Sequence, residues 1–212
     1  ASTYSRAPNK YSLEETEWTA LKIIVNQWRG AHPNIVQSWW AYQDAAIEAV
    51  SARGRIVQVA TKPGVVVPVK YMSTGDFLFC QLPSGRVIAY AQPSIEEKIE
   101  DVIEGHEADG TPIIYQRIRR VVTFWGVDSE KRTWCKQYLY GGLLCENVTQ
   151  AVARDIMVGG MFRAEQAGYP VILTVHDELV TLVPKAFGSP NELADLMSVR
   201  ESWAVGLPLS AA

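Results

Sequence analysis

Val171-Ile-Leu-Thr-Val-His-Asp-Glu-Leu-Val-Thr-Leu-Val183 decides how the rest of the chain is read. Two apolar runs rich in Val, Ile and Thr flank His176, Asp177 and Glu178. Side chains branched at Cβ suit the pleated surface of a sheet, and each run has strand length. Strand, short polar turn and strand predict a β-hairpin. Its tip holds two neighbouring carboxylates on a stiff element, where a ligand can reach them. Turns attract Asp for local reasons, so folding explains the hairpin as well as chemistry does. His176-Asp-Glu-Leu179 also spells an endoplasmic-reticulum retrieval signal, which is read only at a C-terminus and carries no address here.

Working outward, 212 residues suffice for one large domain or two small ones, and 48% hydrophobic residues suffice for a real core. The net charge of −3 argues against a strongly basic nucleic-acid binder, although a local basic face is enough for such binding. Cys80, Cys135 and Cys145 are scattered, without a Cys-x-x-Cys pair. A zinc knuckle or disulfide framework is therefore not expected, and a reducing compartment is. No apolar run reaches membrane-spanning length, and residues 1–10 are polar, without a signal-peptide core. The expectation is a cytoplasmic protein with no membrane partner, so the sequon Asn147-Val-Thr149 is taken as chance. Without an initiator Met, the chain reads as a processed product or a piece of something longer.

Residues 1–12 read as a loop. Ser12-x-x-Glu15 has capping-box spacing, and Trp18, Leu21, Val25 and Trp28 follow at helical intervals up to Gly30. His32-Pro33-Asn34 is a turn, and residues 35–52 carry a second helical pattern stopped by Gly54. Residues 55–60, 65–71, 76–82 and 86–92 are short β-like runs, with Pro83-Ser84-Gly85 as a hairpin turn. Residues 94–112 are acidic and are expected to form a solvated helix and loop. Arg117, Arg119 and Arg120 precede an apolar strand over 121–127; they suit phosphates or a solvated edge equally. From Trp134 to Gly168 the pattern predicts one long helix leading into the opening hairpin, and residues 188–199 predict a last helix.

The long helix carries a resemblance. Val175-His-Asp-Glu-Leu-Val180 resembles the third motif of family A DNA polymerases. Tyr140-Gly-Gly-Leu-Leu-Cys-Glu-Asn-Val-Thr-Gln-Ala-Val-Ala-Arg-Asp155 resembles the Tyr-Gly-Gly, Glu-Asn, Gln-Ala and Ala-Arg-Asp signature of that family's phage branch. Trp28-Arg-Gly-Ala-His-Pro-Asn-Ile35, Leu82-Pro-Ser-Gly-Arg86 and Trp203-Ala-Val-Gly-Leu-Pro-Leu209 agree with the same branch. The family's first motif, a strand ending in Asp, is not found here, nor is a 3′–5′ exonuclease domain. Arg132-x-x-x-Lys136 followed by Tyr140-Gly141 imitates the nucleotide-reading fingers helix, but its Tyr comes about one turn too early. The resemblance therefore implies the C-terminal part of a polymerase. Its fold would be α+β: a helical hairpin and small β segments on the fingers side (1–133), joined to the C-terminal half of a palm (134–212) with a long helix, a β-hairpin and a C-terminal helix.

The resemblance also implies roles. Nucleotidyl transfer from a dNTP to a primer 3′ end uses two divalent ions about 4 Å apart. These would be Mg²⁺, with Mn²⁺ as a substitute, held by carboxylates from different strands. Asp177 would be one catalytic metal ligand. Glu178 would contribute less, because neighbours on a strand point opposite ways. The other Asp would come from an N-terminal polymerase portion, as a separate chain or missing sequence. His176 would touch the primer-terminal sugar or phosphate, and Gln150 would check the minor groove, where acceptors occur on every base pair. Gly142 and Glu146 stand where the bacterial branch has Arg and Asn, so those contacts do not carry over; Asn147 is the candidate substitute. Arg154 and Asp155 are expected to be a structural pair or to support the contact residues from behind. The partners would be primer–template DNA, dNTP and the N-terminal portion, in a host-cell cytoplasm if phage-encoded. Two other classes compete: a non-enzymatic nucleic-acid-binding palm-like module, and a metal-dependent hydrolase using the acidic 96–109 run.

Overall fold

Strand β1 (Val57–Lys62) buries Val57 and Val59 and turns Gln58 and Ala60 outward. That alternation recurs in β3 (Phe77–Gln81), where Leu78 and Cys80 face inward. A period of two gives each strand one face for a core. Together with β2 (Val65–Thr74), β4 (Val87–His106), β5 (Pro112–Val127) and β6 (Trp134–Leu139), these strands form a six-stranded antiparallel sheet in simple sequence order. The structure is a computed structural model and describes residues 15–62, 65–106 and 112–212. Residues 1–12 with the Ser12 cap, and residues 107–111 at the end of the acidic run, lie outside the described residues.

Helices α1 (Glu15–Ala31) and α2 (Pro33–Ser51) precede the sheet. The expected helical hairpin is not formed, because α1 is exposed from Ala20 to Ala31 and meets α2 only near the bend at His32, where Trp28 stacks on Trp39. Pro33 opens α2, where a missing amide costs nothing. Ala45, Ala46 and Ala49 are buried on the sheet side of α2 and let it approach Val59, Tyr71 and Leu78 closely. Helix α3 (Gly141–Gln166) is 26 residues and about 39 Å long. Its first turns add Leu144 and Val148 to the same core, so that core draws on residues from both sides of position 133. Its later turns pack on α4 (Pro190–Ser198), with Gly160 and Ala164 buried. Between them, β7 (Val171–Val175) and β8 (Glu178–Thr181) form the expected hairpin as a separate two-stranded sheet. Both helices and sheets are present, as the α+β reading required.

Two further expectations fail. Residues 94–106 are strand, not solvated helix and loop, because β4 and β5 are complementary across the ladder. In the ladder register Glu97 lies opposite Arg120 and Ile99 opposite Ile118. Opposite charges and β-branched pairs across strands hold such a ribbon together. A one-residue bulge between Ala91 and Ser94 accommodates Pro93 and leaves Gln92 at φ 49°. Residues 134–139 are also strand rather than the start of the long helix. They pair with β5 from Val127↔Trp134 to Val122↔Leu139, and α3 begins only at Gly141.

Gly141 fixes where α3 starts. A Cβ there would lie 2.0 Å from the carbonyl oxygen of Trp39 in α2. At Gly160 a Cβ would sit 3.5 Å from Met197, an ordinary contact. Gly141→Ala is therefore expected to cost about 3 kcal/mol by forcing the two backbones apart. Gly160→Ala should be neutral or stabilising by up to about 1 kcal/mol, because alanine favours the helix. Urea unfolding of both variants checks the contrast, and equal effects would contradict it.

Burial pushes the Cys80 thiol up from 9.0 to about 11 and the Tyr90 hydroxyl to about 12. Both groups are stable in the fold only while protonated. Their contribution is complete below the unfolded values and is lost as pH rises through the folded ones. The urea midpoint should therefore hold to about pH 8.5 and fall between about pH 9 and 11. Cys80→Ala, although less stable overall, should flatten the first part of that fall; an unchanged pH slope would refute the assignment to Cys80.

Candidate active site at the hairpin tip

The hairpin is tied to α3 before it reaches its tip. Glu165 near the end of α3 accepts from the amide of Val171 at 2.6 Å, and Leu182 donates its amide to the Pro170 carbonyl at 3.2 Å. Val175 pairs with Glu178, so His176 and Asp177 form a two-residue turn. His176 has φ 54°, in the left-handed region, where His is among the more tolerated residues. His176, Asp177 and Glu178 are all exposed.

Asp177 and Glu178 line one cleft of about 570 Å³. Ala153, Met157 and Gly160 of α3 wall it on one side, and Leu193 of α4 with the last residues of the chain wall it on the other. Glu178 thus opens onto the same space as Asp177 instead of pointing away from it. The alternation rule fails because Asp177 sits in the turn, off the strand. Two adjacent carboxylates are hard oxygen donors of the type Mg²⁺ prefers, in a space large enough to keep its waters. Among the described residues no group of three or more His, Cys, Asp and Glu side chains has a metal-holding arrangement. Asp177 and Glu178 fit part of a divalent-ion site.

The other candidates lie further along α3. Gln150 is exposed, and its Nε2 donates to Glu146 Oε1 at 3.0 Å. It lines a second cleft, of about 760 Å³, between α2, the first turns of α3 and the sheet. Gln150 and Ala153, about one turn apart, therefore open onto different clefts. Asn147 is turned inward, where its Nδ2 donates to the Tyr90 hydroxyl at 3.0 Å. Asp155 pairs with Arg86, at 2.6 Å from Nε, rather than with its neighbour Arg154. Ser84 donates to the other carboxylate oxygen at 2.5 Å, and Arg86 Nη2 reaches the Ala151 carbonyl at 2.8 Å. The Leu82–Arg86 turn thereby clamps the sheet to the middle of α3. Resemblance pointed to both halves of this clamp, but not to their meeting.

The basic run is likewise engaged. Arg119 donates to Gln43 and lies over Trp40, and Arg120 donates to Ser51. Sequence reasoning missed the second cleft because α2, β5, β6 and α3 each supply only a part of it. Its local signals were the Trp39-Trp40 pair and the aromatic residues around position 138.

The α+β frame thus presents paired carboxylates in a cleft beside a long helix. The DNA polymerase of Bacillus phage SP02 is 36% identical to this chain over 191 residues, which cover 90% of the chain. The chain spans about a quarter (26%) of that relative's length. The sequence relationship to a phage DNA polymerase thus extends over nearly the whole chain. No protein-family model and no solved structure matches it. No helix among the described residues is long and apolar enough to cross a membrane.

The geometry separates two roles that the sequence left together. Asn147→Leu should cost about 1–2 kcal/mol, because the buried Tyr90 hydroxyl loses its partner. Gln150→Ala, on an exposed face, should change stability by less than about 0.5 kcal/mol. Thermal unfolding monitored by circular dichroism tests both; a destabilised Gln150 variant beside an unaffected Asn147 variant would reverse the assignment.

Proposed function

We propose that this chain is the C-terminal portion of a family A DNA polymerase, and that it takes part in template-directed transfer of dNTPs to a primer 3′ end. The relationship to the phage polymerase over 90% of the chain carries this reading. In it, residues 1–133 belong to the fingers side and residues 134–212 to the palm, and the work is done in a host-cell cytoplasm.

Asp177 and Glu178 are the groups that would hold divalent ions, Mg²⁺ or Mn²⁺. Bound there with a further Asp, two such ions would activate the primer hydroxyl and balance the triphosphate charge. His176, fixed in the turn beside Asp177, would hold the primer-terminal sugar or phosphate. Gln150 would donate its amide to minor-groove acceptors, which requires it to leave Glu146. Asn147 would act on DNA only indirectly, by bracing α3 against Tyr90.

The state of the hairpin supports the need for an N-terminal portion. Ile172, Leu173, Val175, Val180 and Leu182 are all more than a third exposed, at up to 68% for Leu182. A two-stranded sheet with apolar residues in water is marginal by itself, and an apolar patch of this kind marks a contact surface. Another strand of the palm, bearing the second Asp, would cover it. The exposed Leu21, Ile24 and Trp28 of α1 would similarly face the remainder of the fingers.

Primer extension tests this directly. The chain by itself should not extend a primed template; mixed with a polypeptide bearing the first and second family motifs, it should. In the reassembled enzyme Asp177→Ala should lower the extension rate by about 100-fold or more, since even the outer partners of metal ligands are worth about 10–100-fold. Glu178→Gln should cost less. Robust extension by the isolated chain would overturn the need for the second part. Unchanged extension by Asp177→Ala would favour a binding module without chemistry.

A further inference from the structure

The second cleft differs in chemistry from the rest of this weakly acidic chain. Three cations, Arg29, Lys98 and Arg119, line it against a single carboxylate, Glu146. The cleft is also aromatic. Trp40, Tyr138 and Tyr140 line it and are 43%, 42% and 53% exposed.

Cations fix two of these rings in place. The Arg119 guanidinium lies 4.5 Å from the Trp40 ring centre, and Lys98 Nζ lies 3.3 Å from that of Tyr138. Arg119 is itself held by the buried Gln43 at 2.9 Å. Trp39, next to Trp40, stacks on Trp28 with ring centres 6.0 Å apart, which stiffens the α2 side of the cleft. Flat, partly exposed rings interleaved with fixed positive charges complement a polyanion that carries flat apolar groups.

We propose that this cleft binds single-stranded nucleic acid, with bases stacked on Trp40, Tyr138 and Tyr140 and phosphates met by Arg29, Lys98 and Arg119. A single strand is favoured over a duplex because only unpaired bases offer their faces to a protein ring. Gln150 lines the same cleft, so the bound strand runs up to the residue assigned to the primer-terminal base pair. That strand is the unpaired template; its identity rests on the polymerase reading, whereas the stacking chemistry does not.

The test is fluorescence anisotropy of a labelled thymidine oligonucleotide of about 12 nucleotides, titrated with the full chain at low salt. Wild type should bind it more tightly than a duplex of equal length, and affinity should fall as salt rises. Lys98→Ala/Tyr138→Ala should weaken binding by about 5- to 100-fold while far-ultraviolet circular dichroism stays unchanged. If that variant misfolds, Tyr140→Ala at the cleft mouth supplies the same readout. Equal binding by a folded cleft variant and the wild type, or a preference for duplex, would overturn the proposal. Failure of the polymerase reading would show elsewhere, as no extension by the reassembled enzyme, because the oligonucleotide titration requires no extension.

Discussion

One buried amide sets the geometry on which everything downstream depends. Gln43, only 3% exposed, accepts through its Oε1 from the Gly141 amide at 3.0 Å and from Arg119 at 2.9 Å. Its Nε2 donates to the Arg120 carbonyl at 3.4 Å. Three elements, α2, β5 and α3, meet at this single side chain. An amide suits the position because it offers two acceptor sites and two donors in one plane. The Gly141 amide is one of the free donors at the helix start, and the Tyr140 N-cap makes no side-chain bond to relieve them. Gln43 takes that part from a distant point in the chain. The approach it requires brings Trp39 against Gly141 so closely that no side chain fits there.

From that junction α3 acts as a rigid arm. Its first turns are locked by Leu144 and Val148 in the core and its middle by the Asp155–Arg86–Ser84 clamp. Near its end, Arg163 pairs with Glu201 and reaches the carbonyls of Leu196 and Val199, drawing the C-terminal segment against it. Glu165 then hands the chain to β7. The tip carboxylates are thus placed relative to the sheet by contacts well away from them.

Local periodicity made much of this legible in the sequence. The helix over α2, the strands β1 to β3, the Pro83-Ser84-Gly85 turn and the hairpin at 171–183 each follow from residues close together in the chain. The strand character of 94–106 did not, because its apolar residues also fit a helical spacing. What decides that segment is pairing with Arg117, Ile118 and Arg120, which is a property of two segments at once. Residues 134–139 were hidden similarly: only β5 makes them a strand. At the candidate site, resemblance pointed to Asp177, Glu178 and Gln150, but not to which cleft each one faces. Asn147 shows the limit most clearly. Its one-residue offset from Glu146 turns it from the open side of the helix toward Tyr90, and only the packed structure reveals that difference.

The division of labour inside the chain has a physical consequence. Its well-buried core lies between α2, the six-stranded sheet and the start of α3. The candidate catalytic carboxylates sit instead on the element with the least support of its own, a two-stranded ribbon whose apolar residues remain in water. A metal ligand must be held within a fraction of an ångström to be useful, and so small a ribbon does not provide that stiffness alone. Covering its faces with further strands would bury the apolar residues and immobilise Asp177 in the same step. The contact that completes the ligand set would then also make the ligand rigid. On this reading assembly and activation are one event, driven by the apolar surface that the hairpin leaves exposed.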